Sequence, residues 1–141
     1  MLPLRHAVRW RIAGIILLIA VLAAMLMPAV WMFPTKGEFL EWFVHVDKWL
    51  HGVIFVFLAI WFAGQYRRRS YWRIGLGLIA FGVLIEACQR LVTYRSADVF
   101  DIAADAAGIA IGLAIALSGL GGWSMWVENR FSKEKASVDI D

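Results

Sequence analysis

The sequence predicts an all-α fold: a four-transmembrane-helix bundle with a short interfacial helix between spans one and two and both termini cytoplasmic. Three observations carry this. Hydrophobic residues make up 62% of the 141-residue chain, above the roughly 45–50% of soluble domains, and mean hydropathy is +0.71. These residues fall into four long runs separated by short polar links, which is the pattern of membrane spans rather than of a soluble core. Lys and Arg concentrate in alternate links, ten on one side and four on the other.

The first span is "IAGIILLIAVLAAMLMPAVWMF", residues 12–33. As a helix it rises roughly 33 Å, enough to cross the hydrocarbon, and it exceeds the apolar core of a signal peptide. An uncleaved anchor is therefore expected, with Pro28 accommodated near its far end. Between spans one and two, "GEFLEWFVHVDK" places Glu38, Glu41, His45 and Lys48 at spacings of three, four and three among aromatic and aliphatic residues. That alternation suits a short helix lying flat on the interface.

Span two covers residues 49–64, span three 74–94 and span four 100–120. Several of the eight tryptophans sit near the ends of these runs, where an amphipathic ring prefers the headgroup layer. Arg5, Arg9, Arg11, Arg67, Arg68, Arg69, Arg73, Arg130, Lys133 and Lys135 fall on one side, against Lys36, Lys48, Arg90 and Arg95 on the other. The positive-inside rule then puts both termini in the cytoplasm. Residues 10–120 form the expected transmembrane domain, and 121–141 the expected polar, mobile cytoplasmic tail.

On that topology three helices carry ionisable residues to one membrane level. Asp47, Lys48 and His51 open span two; Glu86, Gln89 and Arg90 lie in the outer half of span three; Arg95, Asp98, Asp101 and Asp105 lead into span four. Each charge facing lipid costs about 2.5–3.5 kcal/mol, so these side chains are expected to face one another across a shared interior or a wet cleft. Gly108 and Gly112, four apart on span four, offer a face for close helix approach. Plainer roles accompany these residues: Asp98 and Asp101 suit helix capping, Glu86 and Arg90 an internal ion pair, and Lys48 a snorkel to water. Cys88 is the lone cysteine, so no intrachain disulfide or cysteine zinc cluster is possible. A divalent metal among His51 and the acids is chemically conceivable, but the spacing matches no metal motif and no metal ligand is assigned. The cofactor is left unknown.

Three short motifs, "DKWLH", "EACQR" and "RSADVFDIAADAAG", together resemble the VanZ-like family of small bacterial membrane proteins. Asp47, Lys48, His51, Glu86, Gln89, Arg95, Asp98 and Asp101 fall on the family's pattern; Asp105 stands where many relatives carry Asn. The resemblance spans roughly residues 10–120. It implies the fold, a multi-pass location in the bacterial cytoplasmic (inner) membrane, and a cell-envelope theme tied to antibiotic resistance of the teicoplanin type. It supplies no reaction.

Four functions compete on these residues. The first is binding of a lipid head group or lipophilic envelope ligand, with Arg90 and Arg95 meeting phosphate and the acids and His51 meeting hydroxyls or amines. A membrane enzyme acting on a phosphate or glycosyl lipid is the second, with His51, Glu86 and Asp101 as its acid–base groups. An ion or proton pathway ranks third, because the inner halves of the spans carry almost no ionisable side chain. The fourth is a scaffold, homo-oligomeric or within an envelope complex. Membrane lipids are the expected partners, and a nucleic-acid partner is not expected.

Overall fold

The computed structural model describes residues 1–27, 39–92 and 99–138; the side chains of residues 39–47, 99 and 132–138 stand outside that description. The described residues form five α-helices, α1 (Ala7–Leu26), α2 (Phe39–Gln65), α3 (Tyr71–Arg90), α4 (Val99–Ile115) and α5 (Trp123–Val138). Four stretches are long and apolar enough to cross a membrane: Ala7–Leu26, Lys48–Gln65, Arg68–Arg90 and Phe100–Leu120.

Two expectations about the first half of the chain need correction. Helix α1 ends at Leu26, short of Pro28, and residues 28–33 of the expected span lie outside the described residues. Met27 is extended, with φ −66° and ψ 134°, because the pyrrolidine ring of a following proline disfavours the α region for the residue before it. The helix instead starts earlier, at Ala7, and takes in Arg9 and Arg11, both exposed. Their long side chains can reach water from a helix end. The second correction concerns the interfacial segment. Residues 39–48 are not a separate short helix; they are the first part of α2, which is continuous over 27 residues. No glycine or proline occurs between Phe39 and His51, so nothing in the chain breaks the helix there.

Contacts fix the helix directions. Lys48 meets Asp101, His51 meets Asp105, Gly52 lies against Gly108 and Val56 against Gly112. Both numbers rise together, so α2 and α4 run parallel. Helix α3 runs against them, with Gly82 beside Asp105 and Gly75 beside Ile109 and Leu113. Helix α1 is antiparallel to α2 and parallel to α3: Gly14 faces Phe62, and the Gln89 side chain reaches Met25. Phe55, Leu58, Leu78, Ile85 and Ile109 form the apolar centre.

The α2–α4 seam is unusually close. A Cβ placed on Gly108 would overlap the Gly52 carbonyl, and one on Gly112 would overlap the Val56 carbonyl and Ala59. Small residues spaced four apart thus let two backbones touch, the packing that substitutes for hydrophobic driving force in lipid.

A second set of contacts ties the chain's two ends together at the arginine-rich end of the bundle. Leu2 N–H donates to the Gln65 carbonyl at 2.9 Å. Trp123 Nε1 donates to the Ile60 carbonyl and Ser124 Oγ to the Gly64 carbonyl. Trp10, Trp61 and Trp123 form a mutual cluster with ring centroids 5.4–5.8 Å apart. Gly122, at φ +82°, makes the left-handed turn into α5 that glycine adopts without steric cost. The segment read as a polar tail therefore carries a docked helix.

Glu128 of α5 caps α1 from outside. Its carboxylate accepts from the Arg5 and His6 N–H groups at 2.8 and 3.0 Å and from Trp10 Nε1 at 2.9 Å. The N-cap residue of α1, His6, supplies no side-chain cap of its own, so Glu128 satisfies donors that a helix start leaves orphaned. Burial pushes the Glu128 carboxyl up, but the hydrogen bonds from His6, Arg5 and Trp10 outweigh it and hold the group below its usual value of 4.5.

Two outcomes follow from this packing. Gly108→Leu should destabilise the purified protein by about 1–3 kcal/mol through overpacking, read as a lower Tm in detergent, whereas Gly77→Leu, where a Cβ meets nothing within 4 Å, should leave Tm unchanged or slightly raised. The Glu128 cap stabilises the fold above pH 4.5 and is lost as pH falls through the lowered folded-state value. Hydrogen exchange at the Arg5 and His6 amides, corrected for intrinsic rate, should accelerate over that window in the wild type and be fast throughout in Glu128→Ala.

Candidate functional site

At the end of the bundle opposite the arginines, the α2–α4 seam changes from glycine to charge. One turn beyond the glycine contact, His51 Nδ1 lies 3.1 Å from Asp105 Oδ1, with both side chains at most 1% exposed. A further turn out, Lys48 Nζ lies 3.4 Å from Asp101 Oδ1, the lysine 35% and the aspartate 6% exposed. Helical spacing explains the register: residues 48 and 51 share a face of α2, and 101 and 105 share a face of α4. Parallel helices then bring both pairs into step. Asp101 also lies in the first turn of α4, where the helix dipole favours a carboxylate.

Helix α3 closes the third side. Gly82 sits against Asp105: a Cβ there would come within 2.5 Å of Oδ2. Glu86, four residues on, is 3% exposed, and Gln89 is 2% exposed. The Gln89 amide donates to the Met25 carbonyl at 3.2 Å, satisfying one of the last carbonyls of α1. Its observed work is thus to hold α1, a role distinct from the ligand contact expected of it. Arg90 is exposed at the end of α3. The Asp47 side chain, Arg95 and Asp98 lie outside the described residues.

Two contributors were missed in the sequence. Gly82 leaves room for the Asp105 carboxylate; its place one turn before Glu86 was the available signal. Phe100 receives the Lys48 ammonium 5.5 Å from its ring centroid, a cation–π contact that only the parallel register reveals. Among the described residues no group of three or more His, Cys, Asp or Glu side chains is arranged to hold a metal ion.

An apolar groove of about 320 Å³ runs down the outer surface of the seam from Lys48. Val53, Val56, Ala107 and Ile111 line it, with Gly52 and Gly108 among the lining residues. Polar groups at the mouth and hydrocarbon below are the two halves of an amphiphile's binding site. Within the pair itself, a His whose Nδ1 is held by a carboxylate has a fixed ring orientation, which is the arrangement that prepares Nε2 for acid–base work.

The VanZ/LLP1 family model matches residues 7–120, and the chain belongs to that family. No curated protein and no solved structure matches the chain.

The buried pair makes a stability prediction. Removing one partner, as in His51→Ala, should cost about 3–5 kcal/mol because a buried carboxylate is left uncompensated. Replacing both, as in His51→Leu with Asp105→Leu, should recover much of that loss. Thermal unfolding of the two single variants and the double variant measures the coupling; additive losses would contradict a direct pair.

Proposed function

We propose that this VanZ/LLP1 protein is a multi-pass protein of the bacterial cytoplasmic membrane that binds a lipid head group or lipophilic envelope ligand in the outer leaflet. On this reading residues 10–120 form the membrane domain, 121–141 lie in the cytoplasm, and the first turns of α2 project beyond the span on the outer side. The alternating Lys/Arg distribution supports that orientation. One observation carries the binding reading: Lys48, half-exposed and paired with Asp101, stands at the mouth of an apolar groove. A phosphate or similar anion would compete with Asp101 for the ammonium, while a hydrocarbon chain fills the groove beneath. Arg95 and Asp98, near Asp101 in sequence, are assigned to the same head group. A site that intercepts a lipophilic envelope ligand fits the family's link to teicoplanin-type resistance.

The His51–Asp105 hydrogen bond favours a second reading, in which the same site is a membrane enzyme for a phosphate or glycosyl lipid. His51 would be the general base, with Glu86 and Asp101 as the acid groups.

One experiment separates the two. Purified full-length protein in nanodiscs is titrated with a phospholipid and with a lipid-linked cell-wall precursor analogue, and the lipid is recovered and analysed. Lys48→Gln should weaken binding about tenfold or more, the loss of one charge-assisted contact. Lipid recovered intact supports binding; a cleaved head group, with cleavage lost in His51→Asn, supports the enzyme. Unchanged affinity in Lys48→Gln would remove the mouth of the groove from the function.

A further inference from the structure

We propose a second lipid site at the opposite, arginine-rich end of the bundle, which takes one chain of an anionic phospholipid. A groove of about 360 Å³ opens there between α1, α2 and α3, and Leu18, Phe62, Tyr66, Arg73, Gly77 and Phe81 are among the residues lining it. It shares no lining residue with the groove beneath Lys48.

The groove is graded along its length. Arg73, Ser70 and Tyr66 mark its polar end, and Leu18, Leu78 and Phe81 its apolar end. Arg73 and Phe81 lie eight residues apart on α3, about 12 Å along the helix axis. That grading matches a phospholipid lying with its phosphate at the interface and a chain in the hydrocarbon.

Charge selects the head group. No acidic side chain lines the groove, and Arg67, Arg68 and Arg69, all exposed, precede Ser70 directly. Arg73 is steered over the exposed Trp72 ring at 5.2 Å, so its guanidinium is held near the interface. Glu128, an acid at this end of the bundle, is engaged by Arg5, His6 and Trp10. Guanidinium groups bind phosphate through paired hydrogen bonds, and a mouth this cationic favours a head group that adds no ammonium of its own.

Gly77 is the second argument. A helix-interior glycine costs about 1 kcal/mol relative to alanine, and close packing does not require this one, since a Cβ there would meet nothing within 4 Å. Gly108, Gly112 and Gly82 each make room for a neighbouring helix; Gly77 makes room for the groove. Its missing side chain is what leaves space for a ligand chain.

The test uses the full-length protein carried from detergent into native mass spectrometry with phosphatidylglycerol or phosphatidylcholine of identical chains. The wild type should retain one phosphatidylglycerol about fivefold or more over phosphatidylcholine. Arg73→Gln should bring the two lipids to near parity. Gly77→Leu, which fills the groove without a packing clash, should remove that adduct while Tm holds. Lys48→Gln should keep it, so this site can stand or fall independently of the one at the other end. Glycerol phosphate in excess should fail to displace the lipid. Equal retention of the two lipids by the wild type, an unchanged adduct in Gly77→Leu, or displacement by glycerol phosphate would each overturn the proposal.

Discussion

Backbone contact between α2 and α4 is the constraint on which the rest of the molecule depends. Gly108 against Gly52 and Gly112 against Val56 bring the two helices closer than side chains would permit. At that separation a histidine on one helix reaches a short aspartate on the other without an intervening water. The buried His51–Asp105 pair is therefore a product of glycine spacing as much as of charge. In an apolar surrounding such a pair resists separation, because parting it exposes both groups to hydrocarbon. The seam and the pair thus hold each other in place.

Much of this was legible in the chain. Hydropathy located four spans, and polar residues interrupting those spans pointed to one end of the bundle. Periodicity also marked Gly108 and Gly112. The illegible parts have physical reasons. Pro28 was read as accommodated near the far end of the span, yet its ring acts on the residue before it, and Met27 leaves the helix. The amphipathic stretch before Lys48 looked like an independent element because side-chain pattern says nothing about whether a backbone continues. Gln89 and Glu128 act on carbonyl and amide groups of a distant helix, and backbone groups carry no sequence signature. Helix α5 was hidden by its polarity: it docks through Trp123, Ser124 and Glu128 and needs no apolar face of its own.

The bundle's two ends use polar side chains in opposite ways. At the Lys48 end, charges pair between helices across the seam, and the pairing is layered: half-exposed lysine outside, buried histidine within. Around the tryptophan cluster, polar atoms satisfy backbone groups instead, closing the chain's first and last described helices onto the C-terminal end of α2. One arrangement concentrates ionisable groups where a ligand can exchange with them; the other spends hydrogen bonds on holding the frame. That division lets a substitution at either end be read separately.

Helix α1 is the least buried and the most apolar of the four candidate spans. Two side chains from elsewhere grip its ends: Gln89, 64 residues downstream of the carbonyl it binds, and Glu128, 118 residues downstream of Trp10. A ribosome makes α1 before either clasp. During that interval the nascent helix has only lipid for company, and its high apolarity is what such a wait demands. Assembly is then completed from the C-terminal side, so a chain cut short before α5 would leave α1 held by Gln89 at one end and unclasped at the other.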